Sequence, residues 1–233
     1  MKVIYSIVFL LLSIPVPAQD TLHNKYGLWV ISTTGQFNRT IAGHPEKKMT
    51  DLYKKIPGIR IDLRYAGTNN FMHRKLYQRA GTAWLRSIAA DSLAVIQKEL
   101  MKYGVALKIW DAYRPYSVTE EMWELVKDER YAADPSKGSG HNRGIAVDLT
   151  LVELTTNKEA DMGTDFDNFS DTAHHAFKKL AGQVLQNRQL LKTVMEKHGF
   201  KALDTEWWHY YFIGGKDFEL LDINFDQLRT LNN

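Results

Sequence analysis

Apolar and polar positions alternate from Ile59 to Tyr65, with Ile59, Ile61 and Leu63 on one side and Arg60, Asp62 and Arg64 on the other. That is the period of a half-buried strand. From Thr82 to Tyr103 the period changes. Leu85, Ile88, Ala89, Leu93, Ile96 and Leu100 recur at spacings of three and four, which predicts a helix that Gly104 stops. Val105–Ile109 reads as the next strand, and Ser117 with Glu120 three residues on has the form of a capping box opening a helix to about Asp128. Ile145, Val147, Leu149 and Leu151 make a second strand stripe, which leaves Ala146, Asp148 and Thr150 on that strand's other face. A last long helix is predicted over about Gln183–His198, with His198 in its final turn as a partner for the helix dipole and Gly199 just beyond. Helical and strand periods are mixed, without an internal repeat or a low-complexity linker, so the pattern predicts one domain of mixed α and β structure.

The first residues stand apart from this pattern. Met1-Lys2 is a short basic start, Val3 to Val16 is almost wholly apolar, and Val16-Pro17-Ala18 offers the small residues of a cleavage site. Residues 1–18 therefore read as a secretory signal peptide and 19–233 as the mature domain, an exported protein of the periplasm or cell envelope. The apolar stretch is too short to span a bilayer and no second one follows, so no transmembrane segment is expected after processing. The chain has no cysteine, which removes disulfides, thiolate chemistry and Cys-type zinc sites together. Its 30 basic and 27 acidic residues nearly balance. Lys47, Lys48, Lys54 and Lys55 cluster, but without interleaved aromatics they read as a solvated face, so no nucleic-acid partner is expected.

Two short segments carry the chemistry: Ser139-Gly140-His141-Asn142-Arg143-Gly144-Ile145-Ala146-Val147-Asp148 and Glu206-Trp207-Trp208-His209. Two imidazoles and a carboxylate, His141, Asp148 and His209, are the ligand types a catalytic zinc keeps while leaving a fourth position open. Gly144 permits a tight turn between a loop ligand and a strand ligand. Glu206 is then free to act as a base toward water. Glu206 and His209 are three residues apart, which puts them on one face of a helix but on opposite faces of an ideal strand. The segment is aromatic enough to be a strand, and a strand would need a bend or bulge near Trp207 to aim both groups at one ion. Taken singly, each residue has a plain alternative: a loop histidine, a turn-stabilising carboxylate, a core tryptophan pair. The joint pattern is what favours a metal site.

These segments resemble those of the zinc D-alanyl-D-alanine dipeptidases, the peptidase family known from vancomycin resistance. Leu63-Arg64-Tyr65-Ala66, Asn69-Asn70-Phe71, Trp110-Asp111-Ala112-Tyr113-Arg114-Pro115, Met162-Gly163-Thr164-Asp165-Phe166-Asp167 and His174-His175 resemble further blocks of that family in the same order. The resemblance implies a small α+β domain of the hedgehog and D,D-peptidase type, with a central antiparallel sheet flanked by helices. It also implies one Zn²⁺ held by His141, Asp148 and His209, with Glu206 as general base. Arg114 would stabilise the developing oxyanion, Asp167 would read the free ammonium of a small D,D-dipeptide, and Ser139 would contact the substrate. Gly140 and Asn142 depart from the family pattern, standing where small hydroxyl residues are common.

Two other readings compete. A D,D-carboxypeptidase of the same superfamily would trim wall stem peptides, but Asp167 would close off the amino end that such substrates extend. A non-catalytic, zinc-stabilised binding module would need neither Glu206 nor Arg114. His23, His44 and His73 lie in polar stretches and read as solvated. The His174-His175 doublet reads equally as a surface pair or as support for the site, and Asp111 as a partner that fixes Arg114.

Overall fold

A computed structural model describes residues 23–129 and 132–232, so the segment read as a signal peptide lies outside the described residues. The centre is a five-stranded sheet in the order β3-β5-β6-β8-β7. Its strands are β3 (Arg60–Ile61), β5 (Val105–Asp111), β6 (Ala146–Glu153), β7 (Phe200–Leu203) and β8 (Glu206–Phe212). All neighbours pair antiparallel except the edge strand β3, which runs parallel to β5. Two short ladders complete the strands: β1 (Val30–Ile31) with β9 (Leu220–Leu221), and β2 (Met49–Asp51) with β4 (Trp84–Arg86). The helices are α1 (Thr34–Ile41), α2 (Leu52–Lys55), α3 (Ser87–Met101), α4 (Tyr116–Val126), α5 (Gly182–Lys197) and α6 (Phe225–Leu231). No helix among the described residues is long and apolar enough to cross a membrane.

The strand stripe of β6 decides where the site lies. Val147, Leu149 and Leu151 pack in one core with Leu93, Ile96 and Leu100 of α3 and Leu191, Val194 and Met195 of α5. Each such leucine contributes about 1.5–3 kcal/mol over exposure, and a one-residue slip of β6 would drive Asp148 into that core. Register and site are therefore fixed by the same alternation. The other face of β6 is not solvated, as the sequence period alone would suggest. Ala146, Asp148 and Thr150 are buried as well.

Several predicted boundaries move. The strand expected over Ile59–Tyr65 pairs only through Arg60 and Ile61, and the chain then turns into a 3-10 helix over Arg64–Ala66. The helix expected from Thr82 begins at Ser87, because Trp84–Arg86 pair with Met49–Asp51 as an antiparallel ladder. Leu85 fits both periods, being fully buried from a strand. Gly104 does end that stretch, with a φ of 77° that favours glycine. The capping box at Ser117 does not form. The α4 N-cap is Pro115, and the Ser117 hydroxyl and amide both donate to Asp222 Oδ1 instead. His198 lies at the end of α5 as expected, and its Nε2 also sits 2.7 Å from Glu99 Oε2. Lys47 is not solvated: it pairs with Glu219 at 2.7 Å and lies over the Phe218 ring.

Candidate active site

Both chemical segments lie where the sheet ladder changes. Ala146, Val147 and Asp148 of β6 pair with Tyr211, Tyr210 and His209 of β8, so Asp148 and His209 face each other directly across two strands. On its other edge β8 breaks step. Ala202 pairs with Tyr210 and the next residue, Leu203, pairs with Glu206, which leaves Trp207, Trp208 and His209 without partners on β7. This is the irregularity at Trp207 that a strand reading requires. It lets Glu206 and His209, which an ideal strand would oppose, line one cavity. His141 comes from the turn before β6. Gly144 closes that turn at a φ of 70°, and a Cβ there would lie 3.0 Å from Met49 Sδ.

The three ligand candidates converge. His141 Nε2 is 3.3 Å from His209 Nδ1 and 3.4 Å from Asp148 Oδ2, and His209 Nδ1 is 2.9 Å from Asp148 Oδ1. Ligand atoms about 2.0–2.2 Å from a tetrahedral zinc lie about 3.3–3.6 Å apart, so the cluster is close to the required size. His141 Nδ1 lies 2.7 Å from the Ala112 carbonyl oxygen, which can only accept. That bond puts the proton on Nδ1 and leaves the Nε2 lone pair facing the cluster, the usual support for a metal-bound imidazole. Burial opposes charge on Asp148, but His141 and His209 outweigh it and hold the carboxyl well below the usual range. Two imidazoles and a carboxylate set in this way fit a divalent metal.

Arg114, Ser139, Asp167 and Glu206 line the same cavity of about 290 Å³ as the three ligand candidates. A bulge between Ile109 and Asp111 in the β5–β6 ladder turns Asp111 toward the site. Its Oδ2 accepts from Arg114 Nε at 3.0 Å and Nη2 at 2.6 Å, and its Oδ1 from Tyr77 Oη at 2.5 Å and Ala112 N at 2.9 Å. Asp111 thus fixes the guanidinium. Burial works against the charge of Arg114, and Asp111 more than offsets it. Burial pushes the Glu206 carboxyl up to about 7 against the pull of His209, and pushes Asp167 up to about 7 as well. A cavity that holds Asp148, Asp167 and Glu206 around one arginine has room in its charge balance for a dication, whose field would draw both raised carboxyls back toward ionisation.

Tyr65 is a site residue for which the strand pattern gave no role. Its hydroxyl donates to Asp167 Oδ1 and Oδ2 at 3.2 and 3.3 Å, and the Phe71 amide donates to Oδ2 at 3.2 Å. The Arg114 guanidinium lies 5.0 Å from the centre of the Tyr65 ring. The signal that could have found it is the block Leu63-Arg64-Tyr65-Ala66 in which it stands. The histidine doublet is absent from the cavity lining. His175 packs edge-on to Tyr210, with its Nε2 buried and unpartnered. Burial, with Lys192 and Arg188 adding to it, pushes this imidazole down to about 4. The folded chain then binds that proton less readily than the unfolded chain, so stability is lost as pH falls from about 6.5 toward 4. A His175→Gln variant is expected to lose less melting temperature than the parent between about pH 7 and about pH 4, and equal losses would remove His175 from the acid response.

The D-ala-D-ala dipeptidase family profile matches residues 45–226. The D-alanyl-D-alanine dipeptidase of Escherichia coli is 33% identical over 75% of this chain and 89% of its own length. The enzyme of the same name from Enterococcus faecium is 33% identical over 69% of this chain and 89% of its own. A solved vancomycin-resistance D,D-dipeptidase, in complex with a D-Ala-D-Ala phosphinate analogue, aligns over 58% of this chain and 52% of that one, at 16% identity and a TM-score of 0.37. The chain belongs to the D-ala-D-ala dipeptidase family of metallopeptidases.

Proposed function

We propose that this chain is a zinc-dependent dipeptidase that hydrolyses free D-alanyl-D-alanine. The observation that carries the reading is one small cavity lined by a three-ligand cluster, a raised carboxyl at Glu206, a fixed arginine and a second carboxylate at Asp167. Relatives named for this substrate support it. Zinc held by His141, Asp148 and His209 would supply Lewis acidity, polarising the scissile carbonyl and acidifying the attacking water.

The chain's own groups do the rest. Glu206 accepts the proton of that water and delivers it to the leaving amine, a task suited to a carboxyl whose affinity for the proton is tuned upward by burial. Arg114, locked on Asp111, presents a fixed positive charge where the carbonyl oxygen becomes an oxyanion. Asp167, steadied by Tyr65 and Phe71, pairs with the substrate ammonium, and Ser139 contacts the substrate from the turn ahead of His141. With residues 1–18 acting as an export signal, the reaction takes place in the periplasm or cell envelope, on dipeptide released as the wall turns over.

Blocking the amino end tests the reading. A buried carboxylate left without its cation costs several kcal/mol, so N-acetyl-D-alanyl-D-alanine and wall pentapeptide are expected to be poor substrates beside the free dipeptide. Asp167→Asn should lose activity on the free dipeptide and narrow its preference over the acetylated form. Comparable rates of free and acetylated dipeptide on the parent enzyme would promote the D,D-carboxypeptidase alternative.

A further inference from the structure

We propose that Asn142 is a positioning residue for the reaction: its side-chain amide fixes the segment bearing Arg114 against the turn bearing Ser139 and His141. The inference rests on the reading of Arg114 as the oxyanion partner. Asn142 has no exposed surface. Its Nδ2 donates to the Arg114 carbonyl oxygen at 2.9 Å and to Thr119 Oγ1 of α4 at 2.8 Å, and its Oδ1 accepts from Ser139 N at 3.0 Å. Both amide hydrogens are therefore used, on two different segments, while the oxygen closes the turn of its own segment.

The location explains why a tie is needed. β5 ends at Asp111 and β6 begins at Ala146, so Arg114 and His141 both lie past the last rungs of the β5–β6 ladder. The main chain joins them once, Arg114 N donating to His141 O at 3.2 Å, and Asn142 returns the bond in the opposite direction. Asp111 holds the tip of Arg114 and Asn142 holds its backbone. A shift of about 1 Å in a group that must meet a transition state can cost about a hundredfold in rate, so the clamp acts on turnover more than on binding. The neutral amide suits the task where an aspartate would not. An aspartate would keep an acceptor for Ser139 N but face the Arg114 carbonyl with a second acceptor, leaving a buried oxygen unpaired.

The test is a mutant cycle with two readouts. Asn142→Ala and Asn142→Asp are made in the parent and in Arg114→Ala, with zinc content, kcat and KM measured on D-alanyl-D-alanine. In the parent, kcat should fall about tenfold to a hundredfold, with KM within about threefold and one zinc per chain retained. In Arg114→Ala the same changes should alter kcat by less than about twofold, because the group being positioned is gone. Equal falls in both backgrounds, or zinc lost together with turnover, would overturn the proposal. Amide hydrogen exchange supplies the readout that does not need activity: Arg114 and Ser139 amides should lose protection in Asn142→Ala while Val147 and Leu149 keep theirs. Unchanged protection at Arg114 would also overturn it. If Arg114→Ala proves to leave turnover intact, the role given to Arg114 fails while exchange still decides the tie. Should Asn142→Ala not fold, Asn142→Ser, which keeps one donor, carries the same cycle.

Discussion

Glu206→Gln is expected to keep one zinc per chain and to lose turnover by about a hundredfold to ten-thousandfold. The amide is nearly isosteric with the carboxyl, and Glu206 is not one of the three residues whose ligand atoms cluster, so metal binding has no reason to change. What the substitution would remove is the group proposed to carry the proton. Asp167, the other raised carboxyl, lies at the position assigned to the substrate ammonium and cannot replace it. Metal analysis beside steady-state kinetics decides the matter. Turnover within a few fold of the parent would remove Glu206 from the mechanism, and loss of zinc would make it a ligand instead.

The second large effect belongs to the ligands. His141→Ala, Asp148→Ala and His209→Ala are each expected to lose zinc and with it activity, because a three-residue set has no spare member and His141 is tautomerically committed by Ala112. Chelation of the parent should do the same, reversibly. Removing His141 or His209 also strips from the buried Asp148 carboxylate a group that holds its proton affinity down, so these variants should melt lower than the parent. Full zinc occupancy in all three variants would contradict the site, and complete unfolding on zinc loss would make the ion structural as well.

Much of this was legible from residue order, for physical reasons that differ by element. The β6 stripe is long and its apolar face lands in the core as read, although the opposite face is buried too, and the last long helix falls close to its expected bounds. Short elements behaved otherwise. Trp84–Arg86 fall inside the stretch read as helix, through the periodic Leu85, yet pair with Met49–Asp51, because a ladder between segments far apart in the chain leaves no local signature. Ser117 carried a capping pattern, but Asp222, 105 residues away, took its hydroxyl. The parallel pairing of β3 with β5 is likewise a long-range choice that alternation cannot express.

The site followed the same division. His141, Asp148, Glu206 and His209 are legible as a candidate set from ligand chemistry and spacing, and a strand over Glu206–His209 implies the β8 irregularity that lets Glu206 and His209 line one cavity. Arg114, Asp167 and Ser139 came only through family resemblance, since a lone arginine, aspartate or serine in a loop has no chemical signature of its own. Tyr65 and Asn142 act through neighbours that are distant in sequence, and it is folding that brings those neighbours together.

Release of D-alanine from free D-alanyl-D-alanine by the zinc-loaded chain, residues 19–233, tests the central claim most directly. The account predicts steady release that stops on chelation and returns when zinc is restored. A correctly folded chain with one zinc bound that liberates no D-alanine above the enzyme-free control would contradict it.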